Sequence, residues 1–387
     1  MDVTIIGGGV CGLALSHQLA PDHDVTVFEA SPGPRGGGYM IDFFGPGVAA
    51  AERMGVLEEL RSRGTLFNGA RWERPNRRIT GRIDVTSLIG DGFEGYFSIL
   101  RPEVELGLLA QLPSSVDLRY GTQVVAVRDA DLRGAGSPRS AQVELADGTT
   151  RTADLVVACD GVRSRAREHV APGHGRVIPM GYRAASYLFE DPELVAELGD
   201  WAMLTDTLCR TGGLYAAGPT QAAVLLAEEV DRSVTDRPVS SPQLLQKTYA
   251  GLHPLVDRAL EHAPATYYDD LVAQSVAPRW SRGRVALAGD AAGAVSLLAG
   301  MGTSLAIAGA ETLAQSLRAA GPHVEVGLAD YERRWRPVVE RGQRMGRRSA
   351  SAFLPSTKRQ QLMRRLTLRG LGVPGAARRL GRRLTRG

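Results

Sequence analysis

The chain has 387 residues, of which 43% are hydrophobic and 23% charged, and its formal net charge is +4. This length and composition predict a globular protein of two to three domains, and no apolar run reaches the roughly 18 residues that a membrane-spanning helix needs. The first predicted strand begins at Asp2 or Val3, which leaves no room for a signal peptide, so we expect a cytoplasmic protein.

The metal-binding and redox residues are few and scattered. Cys11, Cys159 and Cys209 lie far apart and outside any C-x-x-C spacing, which argues against both a disulfide framework and a zinc site. The seven histidines show no H-x-x-x-H spacing. We therefore predict no metal site.

Positive charge is concentrated at the C-terminus. Residues 331–387 contain 17 Arg or Lys residues and two acids. Such a segment is typical of a solvated basic helical face, and contact with an anionic membrane is the alternative. No aromatic interleaving or nucleic-acid motif accompanies the charges, so we expect no nucleic-acid partner. The oligomeric state is not indicated.

The N-terminus predicts a strand, a glycine turn, a helix and a second strand over residues 3–28. Gly7, Gly9 and Gly12 form a G-x-G-x-x-G turn, which allows a sharp bend and brings backbone N–H groups and a helix N-terminus close to a pyrophosphate. Glu29 ends the second strand, where a carboxylate accepts hydrogen bonds from a ribose and repels a 2′-phosphate. This unit predicts a binding site for NAD or FAD and disfavours NADP.

The remaining elements predict a discontinuous α/β architecture. Helices are expected at 46–62 and 102–112 with a strand pair between them, followed by a three-stranded antiparallel excursion. Short strands separated by turns and one helix at 242–251 predict a largely antiparallel sheet inserted at 170–280. Helices at 302–320 and 324–347 follow. The predicted fold is a Rossmann-like nucleotide-binding domain (1–169 and 281–345), an inserted β-sheet substrate domain (170–280) and a basic helical segment (346–387).

Two later motifs follow the G-x-G-x-x-G turn of Gly7, Gly9 and Gly12, which we call the fingerprint. CDGVRSRAR (Cys159 to Arg167) follows the apolar strand LVVA, and GDAAGAVSLLAGMGTSLA (Gly289 to Ala306) follows the apolar run RVALA. With these three motifs in this order, the chain resembles the group A flavoprotein monooxygenases, the FAD-dependent aromatic hydroxylases typified by para-hydroxybenzoate hydroxylase. The resemblance covers roughly residues 1–345.

The resemblance implies one non-covalent FAD, with the fingerprint at its adenosine end and the third motif at its flavin end. The residues that it implies for FAD binding are Gly7, Gly9, Gly12, Glu29, Arg35, Arg101, Val125, Asp160, Gly161, Gly289, Asp290, Gly300, Met301 and Gly302. Ser164 and Arg167 complete the D-G-x-x-S-x-x-R pattern of the second motif. A surface ion pair is the alternative for Arg35 and Arg101.

The implied activity is a monooxygenation. In the family, NAD(P)H reduces the flavin and O2 then gives a C4a-hydroperoxyflavin, so the expected reaction is hydroxylation or epoxidation of an aromatic or polyketide-like small molecule, in bacterial secondary metabolism or catabolism. The choice between NADH and NADPH is not indicated. A reductase of the geranylgeranyl reductase type and a non-catalytic flavin-binding protein stay open; a halogenase is disfavoured because W-x-W-x-I-P is absent.

The third motif departs from the family pattern. Gly293 and Leu297 stand where the family has histidine and proline, Ser304 stands where it has asparagine, and Gly309-Ala310 replaces its Asp-Ala. We expect a more open or more apolar site near the flavin. No acid or base can be assigned, and the candidates for the substrate pocket, each with core packing as the alternative, are Tyr39, Asp42, Tyr182, Arg183, Trp201 and Tyr215.

Overall fold

The structure is a computed structural model that describes residues 1–34, 36, 39–84, 95–130, 140–236 and 239–371. The strands are β1 (Asp2–Ile6), β2 (Asp24–Phe28), β3 (Met40–Phe43), β4 (Gly69–Glu73), β5 (Ile79–Asp84), β6 (Phe97–Leu100), β7 (Asp117–Arg119), β8 (Val124–Ala130), β9 (Ser140–Leu145), β10 (Thr150–Ala153), β11 (Leu155–Ala158), β12 (Arg176–Glu190), β13 (Trp201–Thr207), β14 (Arg210–Ala216), β15 (Gln221–Glu229), β16 (Tyr268–Val276), β17 (Ser281–Arg282) and β18 (Val285–Leu287).

The helices are α1 (Val10–Leu19), α2 (Pro46–Arg53), α3 (Leu57–Ser62), α4 (Arg101–Ala110), α5 (Ala166–Val170), α6 (Pro192–Leu198), α7 (Pro242–Tyr249), α8 (Pro254–Glu261), α9 (Asp290–Gly293), α10 (Gly302–Ala320), α11 (Val324–Phe353) and α12 (Lys358–Leu371), with a short 3-10 helix at Leu297–Ala299. Within the described ranges, none of these helices combines the length and apolar character needed to cross a membrane.

The nucleotide-binding half is built on a six-stranded sheet. Its strand order is β17-β18-β11-β1-β2-β7, and β1 runs parallel to both of its neighbours. The central strands are apolar and β-branched because this sheet is covered on both faces. The ladder continues past the strand ends, where Cys159 N–H donates to Ile6 O at 2.7 Å. The turn after β1 and the loop after β11 are thereby placed side by side, at the carboxyl edge where such sheets bind ligands.

A second sheet of seven strands has the order β16-β12-β15-β14-β13-β4-β5. The insertion supplies five of these strands in antiparallel pairs, as expected. The strand pair at 69–84 joins it through parallel pairing of β4 with β13, which aligns Gly69 with Trp201. Local sequence patterns carry no signal for a pairing across so many residues. The sheet therefore extends beyond residues 170–280, and the β-sheet domain includes β4 and β5 as well.

Several helix boundaries differ from the sequence prediction. The single helix expected at 46–62 is two helices, because Gly55 adopts a positive φ of +76° between them. The helix expected at 242–251 is followed by α8, and α6 was not predicted although Asp191 caps it by accepting from Leu194 N–H. The three-stranded excursion is confirmed as β10-β9-β8.

The seven-stranded sheet has an outer and an inner face. Helices α6 to α8 cover the outer face, where Tyr187 and Leu214 belong to one core. The inner face carries Tyr182 and Tyr215, which belong to separate clusters. Tyr182 packs in a cluster that includes Ala350 of α11, and Tyr215 packs in one that includes Leu100 of β6. Because side chains alternate along a strand, each residue is assigned to one face by its register.

Candidate functional site

The glycine turn after β1 is shaped by close backbone contacts. Gly7 has φ +101°, and a Cβ added there would lie 2.6 Å from the carbonyl oxygen of Cys159. A side chain at Gly12 would collide with the carbonyl of Gly7. The turn delivers the chain into α1, whose first-turn N–H groups have no acceptor within the helix. This cradle of backbone donors fits a pyrophosphate.

Glu29 is fixed at the mouth of this turn. Its Oε2 accepts from Gly8 N–H at 2.7 Å and its Oε1 accepts from Ser31 N–H at 2.8 Å. The side chain is 7% exposed. Because a carboxylate oxygen can accept more than one hydrogen bond, this geometry allows Glu29 to accept from a ribose hydroxyl as well. That contact stays a prediction.

Arg167 joins the second and third motifs. It is 4% exposed, and its guanidinium donates to Val162 O at 2.8 Å and to Ala291 O at 3.0 Å. Longer bonds reach the carbonyls of Gly161 at 3.4 Å and Asp290 at 3.3 Å. Burial lowers the pKa of Arg167, and the carboxylates of the two motifs oppose that shift. One side chain therefore holds both Asp-containing loops in a single arrangement.

Asp160 begins the loop after β11. Its Oδ2 accepts from Arg165 N–H at 2.9 Å, whereas Oδ1 is buried and has no hydrogen-bond partner among the described residues. Burial raises the pKa of this carboxyl. Gly161 follows with φ +85°. A buried acceptor without a partner at this edge of the sheet is consistent with a ligand group completing the site.

Asp290 starts α9 in the facing loop. Gly289 before it has φ +57°, and a Cβ there would lie 2.8 Å from Cys11 Sγ at the start of α1. The Asp290 side chain is solvent-accessible in an open cleft, yet surrounding protein raises its pKa while Arg101 and Arg167 act to lower it. Both guanidinium groups therefore act on the charge of this carboxylate, and Gly289 places the loop against Cys11 at the start of α1.

Arg101 and Tyr39 both interact electrostatically with Asp290. The Arg101 guanidinium pairs with Glu105 Oε1 at 2.8 Å, and its backbone N–H donates to Tyr39 O at 3.0 Å. The ion pair foreseen as the alternative for Arg101 thus exists, although Glu105 is buried rather than on the surface. Burial raises the pKa of Tyr39 to about 12, and its ring meets that of Tyr268 edge-on, with centroids 5.2 Å apart. Tyr39 is a neutral phenol at physiological pH.

A buried polar network supports the loop between α9 and α10. Ser275 Oγ donates to Asp290 O at 2.6 Å and accepts from Ala294 N–H at 2.6 Å. Gln343 Nε2 on α11 donates to Ala294 O at 3.0 Å. Within this loop Ser296 has φ +104°, a conformation rare for a residue with a side chain. Sheet, loop and α11 are therefore bonded together beneath the helix start at Gly302.

Close packing by α11 explains the departures at Gly293 and Gly309. A Cβ at Gly293 would lie 2.6 Å from Val339 Cγ1, and a Cβ at Gly309 would lie 2.5 Å from Trp335 Nε1. The histidine of the family pattern has no room at Gly293. Of the two expectations, a more open or a more apolar site, the first is wrong at these two positions, because Val339 and Trp335 of α11 occupy the space.

The remaining FAD-binding predictions lie in loops. The β8–β9 register shifts between Val124 and Ala126, so Val125 is a bulge whose backbone is outside the regular ladder; its predicted adenine contact stays a prediction. Gly300 has φ +66°, and Met301 precedes the first residue of α10, Gly302. Arg35 lies outside the described residues.

Three pocket candidates lie on or beside the inner face of the sheet. Tyr182 and Tyr215 are both buried there, so they also satisfy the packing alternative. The Tyr215 hydroxyl accepts from Met40 N–H at 2.6 Å, which ties the sheet to β3. Asp42 on β3 accepts from the Tyr96 hydroxyl at 2.7 Å. Tyr182, Tyr215 and Asp42 therefore lie near the junction of the sheet with β3, but none of them lines the cavity that opens there.

Arg183 and Trp201 are not in that space. Arg183 forms a bidentate ion pair with Asp269, including an Nε–Oδ1 bond of 2.8 Å, and its neighbours Tyr182 and Ala184 belong to the inner-face core. Trp201 stacks with Arg82, whose guanidinium carbon is 5.4 Å from the ring centroid. Adjacent residues of a strand point to opposite faces, so Tyr182 and Arg183 cannot share a pocket.

A cavity of about 780 Å³ opens between the inner face, β3, β6 and the start of α4. Its apolar and polar lining includes Met40, Phe67, Ser98, Leu100, Leu188 and Gln221. The volume is in the range of small-molecule sites. None of these residues was predicted from the sequence. For Leu188 alone a sequence pattern was available, because alternation along β12 places it on the same face as Tyr182.

Comparison with known proteins agrees with this geometry. A family model described as FAD binding domain matches residues 1–345. An uncharacterized protein of Mycobacterium tuberculosis, Rv1260, is 30% identical over 350 residues, covering 88% of this chain and 91% of the relative. The 3-amino-4-hydroxybenzoate 2-monooxygenase PtnB3 of Streptomyces platensis is 27% identical and covers 93% and 90%. The crystal structure of Klebsiella pneumoniae HpxO, complexed with FAD and uric acid, has a TM-score of 0.81 at 19% identity, with 99% and 95% covered, and shows the fold alone.

Proposed function

The chain belongs to the family of FAD-dependent monooxygenases built on this FAD binding domain, and from that premise we propose that it uses NAD(P)H and O2 to hydroxylate or epoxidise an aromatic or polyketide-like small molecule. FAD is its cofactor. When bound, FAD supplies the redox chemistry: it takes electrons from NAD(P)H, and in its reduced form it activates O2, so that one oxygen atom enters the substrate and the other leaves as water.

The observation that carries the proposal is the joining of the two Asp loops by Arg167. Arg167 bonds to both the Val162 and the Ala291 carbonyls, so the loop after β11 and the start of α9 are held together beside the glycine turn. An extended dinucleotide needs both segments in place, since its two ends lie far apart. We propose that Gly7 to Gly12 and Glu29 hold the adenosine and pyrophosphate end.

The flavin end would lie between Asp290, Arg101 and the start of α10. The positive end of the α10 dipole favours negative charge at Gly302, where reduced flavin carries it in the family that the sequence resembles. Arg101 supplies a further cation in the cleft. Tyr39 is neutral and can donate or accept a hydrogen bond without titrating. These groups favour an anionic, electron-rich ring at this end of the cleft.

The inner face of the sheet supplies the substrate side. Apolar side chains such as Phe67 and Leu188 line the cavity between it and β3, and the buried ring of Tyr215 packs against Phe67 with centroids 6.2 Å apart. Such walls fit a planar organic molecule and exclude water from the reacting centre. The name of the Streptomyces platensis relative, an aminohydroxybenzoate monooxygenase, supports a hydroxylated aromatic ring as the first substrate class to test.

The test measures substrate-dependent turnover of the purified, FAD-loaded protein. NADH and NADPH oxidation would be followed in the presence of hydroxybenzoates, hydroxypyridines and polyphenolic polyketides, with products analysed by mass spectrometry. We expect at least one class to accelerate coenzyme oxidation and to gain one oxygen atom from O2. The variant Asp290→Ala should lose FAD, whereas the control Asp231→Ala, in an exposed turn, should keep it.

Two results would overturn the proposal. Product formation that proceeds equally well without O2 would identify a reductase of the same architecture. Tight FAD binding with no stimulated coenzyme oxidation across the whole panel would identify a flavin-binding protein without this activity.

A further inference from the structure

The C-terminal helix α12 is attached to the body by its polar residues. Arg364 forms an ion pair with Asp206, and their side chains are 9% and 8% exposed. Arg364 also donates to Phe353 O at 3.1 Å, and Gln361 Nε2 donates to Asp206 Oδ2 at 2.6 Å. Residues 361 and 364 are one turn apart and define the side of α12 that contacts the sheet.

The opposite side of α12 presents apolar residues to solvent. Leu362, Met363 and Leu366 are 57%, 56% and 52% exposed. Leu366 follows Met363 by three positions and Leu362 by four, so it lies beside both of them on one side of the helix. We call these three residues the apolar ridge. A surface helix of a globular protein normally buries its apolar stripe and exposes its charges. In α12 the side chain of the charged Arg364 is largely buried and the apolar ridge is exposed, which points to another surface covering the ridge.

The charge of the C-terminal sequence indicates what that surface is. Residues 341–387 contain 14 Arg or Lys residues and no Asp or Glu. Lys358 and Arg359 lie exposed at the start of the same helix. A second α12 would bring like charges together, whereas an anionic surface is complementary to them. The partner must therefore offer both negative charge and an apolar interior.

An anionic lipid bilayer meets both requirements. Helices with basic residues beside an apolar face lie in the plane of the interface, where the apolar side chains enter the acyl boundary and the cations contact headgroup phosphates. Nucleic acid offers phosphates and base faces, but no Phe, Tyr or Trp follows Phe353 in the sequence to stack on bases. We propose that α12, through its apolar ridge and the basic residues around it, binds the protein peripherally to membranes rich in anionic lipid.

The test is vesicle flotation of the full-length, FAD-loaded protein. Vesicles of phosphatidylcholine alone would be compared with vesicles containing phosphatidylglycerol. The variant Leu362→Ser/Met363→Ser/Leu366→Ser removes the ridge. Leu66→Ser/Val326→Ser is the matched control, because these residues are also exposed apolar side chains, 65% and 63% exposed, but lie outside α12. FAD content and circular dichroism establish that each variant is folded.

We expect the unmodified protein and the control to float with phosphatidylglycerol vesicles, more weakly as salt rises, and not with phosphatidylcholine alone. The ridge variant should bind about tenfold more weakly or worse, since three apolar side chains no longer enter the bilayer. Absence of binding to the anionic vesicles would overturn the proposal. So would equal binding by the ridge variant, or tighter binding to duplex DNA than to vesicles. No substrate is needed, so the outcome is independent of the monooxygenase assay.

Discussion

Replacement of Arg167 by methionine tests the structural basis of the FAD site. Methionine keeps most of the length and the apolar stem but removes every donor. The two shorter bonds, of 2.8 and 3.0 Å to the carbonyls of Val162 and Ala291, are made by a charged group, and such bonds contribute about 1.5–3 kcal/mol each. Loss of both predicts destabilisation of about 3–6 kcal/mol.

Part of this loss should appear in FAD affinity. The cofactor binds only when the loops at Asp160 and Asp290 are both in position, and Arg167 is the side chain that bonds to both. If as little as 1.4 kcal/mol of the loss falls on this loop arrangement, FAD affinity decreases about tenfold. Titration of apoprotein with FAD, followed by quenching of flavin fluorescence, measures the dissociation constant, and urea unfolding measures the stability.

The matched control is Arg165→Met. Arg165 is exposed two residues earlier in the same segment, and only its backbone N–H contacts Asp160, so this substitution should leave FAD affinity unchanged. If Arg167→Met binds FAD within about twofold of the unmodified protein, Arg167 does not hold the two loops in position for FAD.

Three further predictions address packing, the link between the two halves, and pH. Gly293→Ala should destabilise the protein by about 1–3 kcal/mol because its Cβ meets Val339, and adding Val339→Ala should restore much of the loss in thermal unfolding; no rescue would contradict the packing argument. Tyr215→Phe removes the acceptor for Met40 N–H and should cost about 1–3 kcal/mol in unfolding free energy, whereas the outer-face control Tyr267→Phe, a half-buried tyrosine, should cost less. Burial would raise the pKa of Asp191, but Arg258 and Leu194 N–H hold it below the usual value of 3.8. Asp191→Asn should therefore be less stable than the unmodified protein by the full amount above about pH 5, and the difference should shrink as the pH falls through the lowered pKa. A difference in urea unfolding that does not change with pH would contradict the role of this charge.

The parts of the fold that the sequence predicts well depend on local chemistry. The positive φ of Gly7 and the missing side chain at Gly12 are requirements of a single turn, and the same residues are visible as a spacing in the sequence. The position of Glu29 follows from strand length alone. The antiparallel excursion was predictable because its strands alternate and are joined at Asp147-Gly148.

The parts that the sequence does not predict depend on contacts between distant segments. Gly293 is crowded by Val339 of α11, a contact that no spacing within the third motif reveals. The parallel pairing of β4 with β13 depends on the docking of the two halves. The face on which Arg183 lies depends on the register of β12, which shifts at a bulge between Pro179 and Tyr182; the sequence alone does not fix that phase.

Oxygen-isotope labelling determines whether the oxygen atom added to the product comes from O2. The FAD-loaded protein would be incubated with NAD(P)H, an accepted aromatic substrate and ¹⁸O2, and the product analysed by mass spectrometry. We expect one ¹⁸O atom in each product molecule, and ordinary oxygen when the label is in the water instead. Product that carries oxygen from water, or that forms in the absence of O2, would contradict it.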